Sequence, residues 1–229
     1  MEIVKVIYRI RYPKMLNFKD IYKDIINPYF IYPNAKFSIS NEGTHVESIR
    51  MTFPESFYHL AFTYETIGFY FDGSTEELKV NGSHINICFD ICNKLRQVNT
   101  FNEVSSEFIE IIAVKELDKT EQEIQSKFIT DHKFMHIFKN MSDSGIVLEG
   151  NDKDITGRIQ YGPYNAKVDI EGWSLFSLDQ KKNVEYLDKD GIIVSCRLQK
   201  KADKISNGTF LSLCKKAEDY IEKIISKYE

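Results

Sequence analysis

Tryptophan occurs once in this 229-residue chain, proline five times and cysteine four times. The cysteines, Cys88, Cys92, Cys196 and Cys214, form no Cys-x-x-Cys pair, and each stands in an apolar stretch. That argues against a disulfide framework and for buried thiols in a reducing compartment. No apolar run approaches the ~20 residues that a membrane-spanning helix needs. The N-terminal residues alternate and carry charge, unlike a secretory leader. A cytoplasmic protein without membrane contact is therefore expected. Charge of one sign is not in excess either. Asp plus Glu is 34 and Lys plus Arg is 30, a net charge of −4 with a pI near 5.8. This balance argues against nucleic-acid affinity spread over the whole surface, though it leaves room for one basic face. The signatures GxSxG, Walker A, GxGxxG and HExxH are absent, so a non-enzyme without a cofactor is expected.

What is abundant is aromatic and apolar. The chain holds 16 Phe and 13 Tyr, too many for a solvating tail. One large domain or two small fused ones would suit the length.

Periodicity orders the elements. Residues 3–12 alternate, with Val4, Val6, Tyr8, Ile10 and Tyr12 on one side and Lys5, Arg9 and Arg11 on the other, so a strand is predicted. Asn17 stands at an N-cap position. Phe18, Ile21, Tyr22, Ile25 and Ile26 then make one helical stripe that Asn27-Pro28 ends. Strands are predicted at 36–40, 45–53, 57–64 and 67–71, with a hairpin turn at Asn41-Glu42-Gly43. A helix follows near 84–97, with Ser83 as its cap.

The order then recurs. A strand is predicted at 105–115, and Thr120 with Glu123 has capping-box spacing for a helix reaching about 138. Strands are predicted at 145–149, 154–161, 165–171, 174–178, 184–187 and 192–198, with turns at Asn151-Asp152, Gly162-Pro163 and 188–191. A last helix starts near Ser206 and keeps Phe210, Leu213, Cys214, Ala217, Ile221, Ile224 and Ile225 in one stripe. Ser48–Phe53 matches Thr156–Tyr161 in pattern at an offset of 108 residues. The reading is an α+β protein made of two strand-helix-(four strands)-helix units, 1–100 and 101–229. They would form one curved antiparallel sheet with helices on one face.

By element order this duplicated unit resembles the TATA-box-binding protein fold. The half-unit is also similar to the helix-grip proteins that close around a small ligand. The strand, alternating sheet and C-terminal helix further resemble a sporadically distributed bacterial family of unknown function. These resemblances imply a fold and assign no functional residue.

Several constellations fall short of chemistry. His132 and His136 have i, i+4 spacing, but two ligands do not complete a zinc shell. Asp188-x-Asp190-Gly191 lacks the glycine and the acidic residue that a calcium loop needs at positions six and twelve. Asp72, Glu77 and Lys79 crowd into one short stretch, and Ser83-His84 is adjacency without triad geometry.

Arginine is the informative residue. There are six, against 24 lysines, and Arg9, Arg11, Arg50, Arg158 and Arg197 all fall in predicted strands on the less apolar side. Guanidinium forks bind carboxylate and phosphate bidentately where lysine does not. Cross-strand carboxylates such as Glu47, Glu110, Asp169 or Glu171 would absorb that charge instead. The leading expectation is a binding protein, acting as a subunit, inhibitor or adaptor, that recognises a protein partner through these five arginines. The alternatives are nucleic-acid binding by the same face and a small-ligand site near His59 and Tyr64.

Overall fold

The computed structural model describes residues 1–31, 35–53, 58–80, 83–99, 104–132, 144–165, 189–202 and 205–228. Strand β1 (Glu2–Arg11) leads through helix α1 (Phe18–Ile26) to β2 (Lys36–Ser40), β3 (Ser48–Phe53), β4 (Tyr58–Thr63) and β5 (Thr66–Phe71). Helices α2 (Thr75–Val80) and α3 (Ser83–Asn99) close the first half. The second runs β6 (Val104–Glu116), α4 (Glu121–Asp131), β7 (Ile146–Asp152), β8 (Ile155–Tyr164), β9 (Gly191–Ala202) and α5 (Asn207–Ile225). No helix among the described residues is long and apolar enough to cross a membrane.

The nine strands among the described residues join one curved antiparallel sheet in the order β2-β3-β4-β5-β1-β6-β9-β8-β7, and the fold is α+β. The strands that open the two halves, β1 and β6, lie side by side at the centre. Each is flanked by the last strand of its own half, β5 or β9. The first half has four strands after α1. The second has three after α4 among the described residues, and the strands predicted at 165–171, 174–178 and 184–187 lie outside those residues beyond Asn165.

Alternation decides which face is buried. Tyr8 of β1 meets Phe89 of α3 at 5.9 Å and Phe210 of α5 at 5.0 Å, both edge to face. Phe128 of α4 meets Tyr161 of β8 at 6.0 Å. Val6, Tyr8, Ile10, Leu60, Phe69, Ile109, Ile111, Val194 and Cys196 therefore face the helices, in one continuous core. All four cysteines are buried and unpaired with one another. Burial pushes the Cys92 and Cys196 thiols up to about 12, so they stay protonated and inert at neutral pH.

The helix ends follow the local signals. Thr120 Oγ1 accepts the Glu123 N–H, and the Glu123 carboxylate accepts the Thr120 N–H at 2.9 Å, a complete capping box. Ser206 and Thr209 make a second box at the start of α5. Asn17 occupies the N-cap position without a side-chain capping bond, and past Ile26 the chain tightens into a 3-10 turn over Asn27–Tyr29.

Four local expectations are corrected. Strand β3 starts at Ser48, not 45, because Glu47 folds back to accept the Gly43 N–H at 2.5 Å and holds the loop. Helix α4 ends at Asp131 with His132 as its C-cap, and 133–143 lie outside the described residues. Gly162-Pro163 is no turn. Strand β8 runs through it to Tyr164, since β7 pairs only as far as Tyr161 and no ladder bond to β7 is lost at the proline. Val4 does not share the face of Val6, because the pairing register shifts between Ile3 and Lys5. It joins Val114 and Tyr164 in a small apolar cluster away from the main core.

A carboxylic acid, Glu107, is built into the core beneath the helices. Glu107 of β6 is fully buried beneath the start of α5 and accepts from the Tyr8 hydroxyl at 2.7 Å and from Thr209 Oγ1 at 3.2 Å. Its Oε1 has no hydrogen-bond partner among the described residues. Burial raises its pKa above the usual 4.5, against the lowering effect of the two hydroxyl bonds. A carboxyl whose folded pKa is raised keeps its proton longer than the unfolded chain does. Its contribution to stability therefore falls as pH rises from 4.5 through the folded pKa. Glu107→Gln removes that titration. The stability difference, variant minus wild type, is expected to shift in the variant's favour between pH 4.5 and 8 in urea unfolding series. A pH-independent difference would count against the buried acid.

Candidate functional site

The five arginines singled out in the sequence share one face of the sheet, the one opposite the core. Directly paired residues of antiparallel strands point the same way. Arg50 pairs with Ala61, Ala61 with Gly68, and Gly68 with Arg9. Arg9 pairs in turn with Phe108, and Phe108 with Gln199, two residues from Arg197. Arg197 is directly opposite Arg158, and Arg11 follows Arg9 by two. All five are exposed.

Their partners differ. Arg197 Nε donates to Glu110 Oε1 at 2.8 Å, and the same oxygen accepts from Ser195 Oγ at 2.8 Å. Arg158 pairs with Glu149 across the β7–β8 hairpin at 3.5 Å. The transverse row Glu110–Arg197–Arg158–Glu149 thus reads minus, plus, plus, minus. Two like charges directly opposite would repel, and the outer carboxylates offset this. Arg11 lies 3.4 Å from Glu65. Among the described residues, no carboxylate pairs with Arg9 or Arg50.

Arg9 is held by aromatic rings instead. Its guanidinium carbon lies 5.3 Å from the Tyr70 ring centre and 5.5 Å from that of Phe108. Tyr70 stacks on His59 at 4.5 Å with planes 26° apart. His59, Tyr70, Arg9 and Phe108 therefore form a layered stack across β4, β5, β1 and β6. Such cation–π contacts stabilise by roughly 0.5–1 kcal/mol at exposed sites. Gly68 permits the stack, since a Cβ there would stand 2.7 Å from the Tyr70 ring. His59 is buried, and its pKa is pushed down to about 4, first by burial and then by the Arg50 and Lys5 charges. It is neutral at physiological pH, within a locally positive field.

Beside Arg197 lies an open hollow of about 580 Å3, lined by Ile112, Gln160, Ile193 and Ser195 among others. His59 and Tyr64 stand on opposite faces of the sheet. His59 lies on the arginine face, whereas Tyr64 packs against the core on the other side. His132 bonds the Tyr228 hydroxyl at 3.0 Å and packs edge-on to Phe128. His136, Asp169, Glu171 and Asp188 lie outside the described residues, as do the side chains of Ser83 and His84. Among the described residues, no group of three His, Cys, Asp or Glu side chains is placed to hold a metal ion.

Sequence reasoning expected the five arginines on one face, as the strand register has them, and did not foresee the aromatic stack. Tyr70 and Phe108 sit 38 residues apart in separate strands. Only the β5–β1–β6 register brings them to either side of Arg9. The one local signal for the stack is that Phe108 stands two residues from Glu110, and strand alternation puts both on the same side. No protein-family model and no curated protein matches the chain.

Proposed function

We propose that the protein is a non-catalytic binding protein that recognises a protein partner through the arginine-bearing face of its sheet. The observation that carries this reading is the convergence of Arg9, Arg11, Arg50, Arg158 and Arg197 on one face, in a chain that otherwise uses lysine four times as often. Arginine supplies planar contact area and forked hydrogen bonds, and it is enriched at interface anchors together with tyrosine. Half-buried Tyr70 and Phe108 add apolar area to the same face.

The test is reversal of Arg50 and Arg158 to Glu together. Both side chains are exposed, so the melting temperature is expected to stay within a few degrees of wild type. A partner that co-purifies with wild type as a defined complex, cross-linked and identified by mass spectrometry, is expected to be lost. Retention of that partner by the reversed variant would overturn the reading.

A further inference from the structure

We infer that Arg9 and Arg50 form a two-point site for two carboxylates of an extended acidic peptide segment. This inference rests on the arginine face being an interface and specifies what occupies it.

Three observations carry it. The first is the division among the five arginines. Arg11, Arg158 and Arg197 already meet Glu65, Glu149 and Glu110, whereas Arg9 and Arg50 meet no carboxylate among the described residues. A ligand at the first three must displace an internal partner. At the other two it adds a bond.

The second is orientation. Tyr70 and Phe108 hold the Arg9 guanidinium between them, so its fork is ordered before anything binds. Pre-ordering lowers the entropic cost of association. A carboxylate or phosphate can approach in the guanidinium plane and accept two parallel bonds.

The third is the row itself. Arg50, Ala61, Gly68 and Arg9 stand in line across four adjacent strands. Between the two arginines the row carries only a methyl group and a glycine overlaid by the Tyr70 ring. The floor is therefore flat and partly aromatic. Three strand spacings put the two backbones about 14 Å apart. Four residues of extended chain span about 13 Å, so carboxylates at positions i and i+4 match the two points.

This geometry favours an acidic peptide over a nucleic-acid strand. A polyanion track needs a series of cations free to neutralise phosphates. Here three of the five guanidiniums are neutralised in place, and Glu65, Glu110 and Glu149 lie beside them.

The experiment is fluorescence anisotropy with a labelled nonapeptide that carries two glutamates four residues apart. A single-glutamate version and a labelled 15-nucleotide deoxythymidine strand serve as comparison probes. Wild type is expected to bind the two-glutamate peptide about tenfold or more tightly than the single-glutamate one. Arg9→Gln and Arg50→Gln are each expected to weaken it about tenfold, and Arg158→Gln less than about twofold. Arg9→Lys, which keeps the charge and loses the fork, is expected to resemble Arg9→Gln. Equal losses at Arg158 and Arg9 would overturn the two-point site while leaving the face as an interface. Tighter binding of the deoxythymidine strand, with a salt dependence above two charges, would replace the peptide with nucleic acid. Absence of peptide binding by wild type overturns the inference. If the co-purifying partner also survives the Arg50/Arg158 reversal, the interface reading fails as well.

Discussion

Ile221→Asp is expected to abolish soluble, folded protein. Ile221 is fully buried in α5, on the stripe with Phe210, Leu213, Ala217 and Ile224 that packs on the centre of the sheet. Loss of the aliphatic side chain alone costs about 2–5 kcal/mol at a core site. The carboxylate adds an unpaired buried charge, worth several kcal/mol more. A domain of ordinary stability has roughly 5–15 kcal/mol in all, so the sum approaches or exceeds the whole. The readouts are soluble yield and the near-ultraviolet circular dichroism of the surrounding aromatics. Ile221→Val, with a cost of about 0.5–1.5 kcal/mol, is expected to fold. An aspartate variant with an unchanged melting temperature would show that α5 is peripheral.

Gly191→Ala is expected to have the next largest effect on stability, for a different reason. Gly191 opens β9 between β6 and β8, opposite Glu116 and Tyr164. A Cβ there would stand 2.0 Å from the Lys115 carbonyl oxygen and 3.0 Å from Glu116 Cα. Both obstacles are backbone, so no side chain can swing aside, and the end of the β6–β9 ladder must open. Overpacking of this kind costs about 1–3 kcal/mol or more. For a chain of this size that is a fall of roughly 2–12 °C in melting temperature. The Leu117 N–H, which donates to the Asp190 carbonyl at 3.0 Å, is expected to lose hydrogen-exchange protection first. Gly150→Ala provides the contrast. Nothing lies within 4 Å of its Cβ position, and the change is expected to be neutral or slightly stabilising. Equal melting temperatures for the two variants would remove the steric argument.

Each of these effects could be located only in part from the sequence. The α5 stripe was legible, because 3.6-residue periodicity is a local property of a long amphipathic segment. The same holds for the alternation of β1 and β6 and for the Thr120–Glu123 capping box. Sequence reasoning failed where a local signal was overruled by a neighbour in space. Gly162-Pro163 looks like a turn, yet it stays in β8 because β7 has already ended beside it. The strand-like alternation at 45–47 yields to a loop because the Glu47 carboxylate finds the Gly43 N–H. Val4 leaves the face of Val6 because a register shift against β6 turns it over.

For the candidate site the division has the same cause. The sequence alone determined that the strand arginines alternate with core residues, since strand period is intrinsic to the backbone. It determined nothing about which of them keep their charge available. Arg197 meets Glu110 from 87 positions away, and Arg9 meets Tyr70 and Phe108 from 61 and 99. Those encounters follow from the strand order β5-β1-β6-β9-β8, which is set by long-range burial of one sheet face under the helices. Tertiary structure therefore decided which guanidiniums are neutralised and which are held open between aromatic rings.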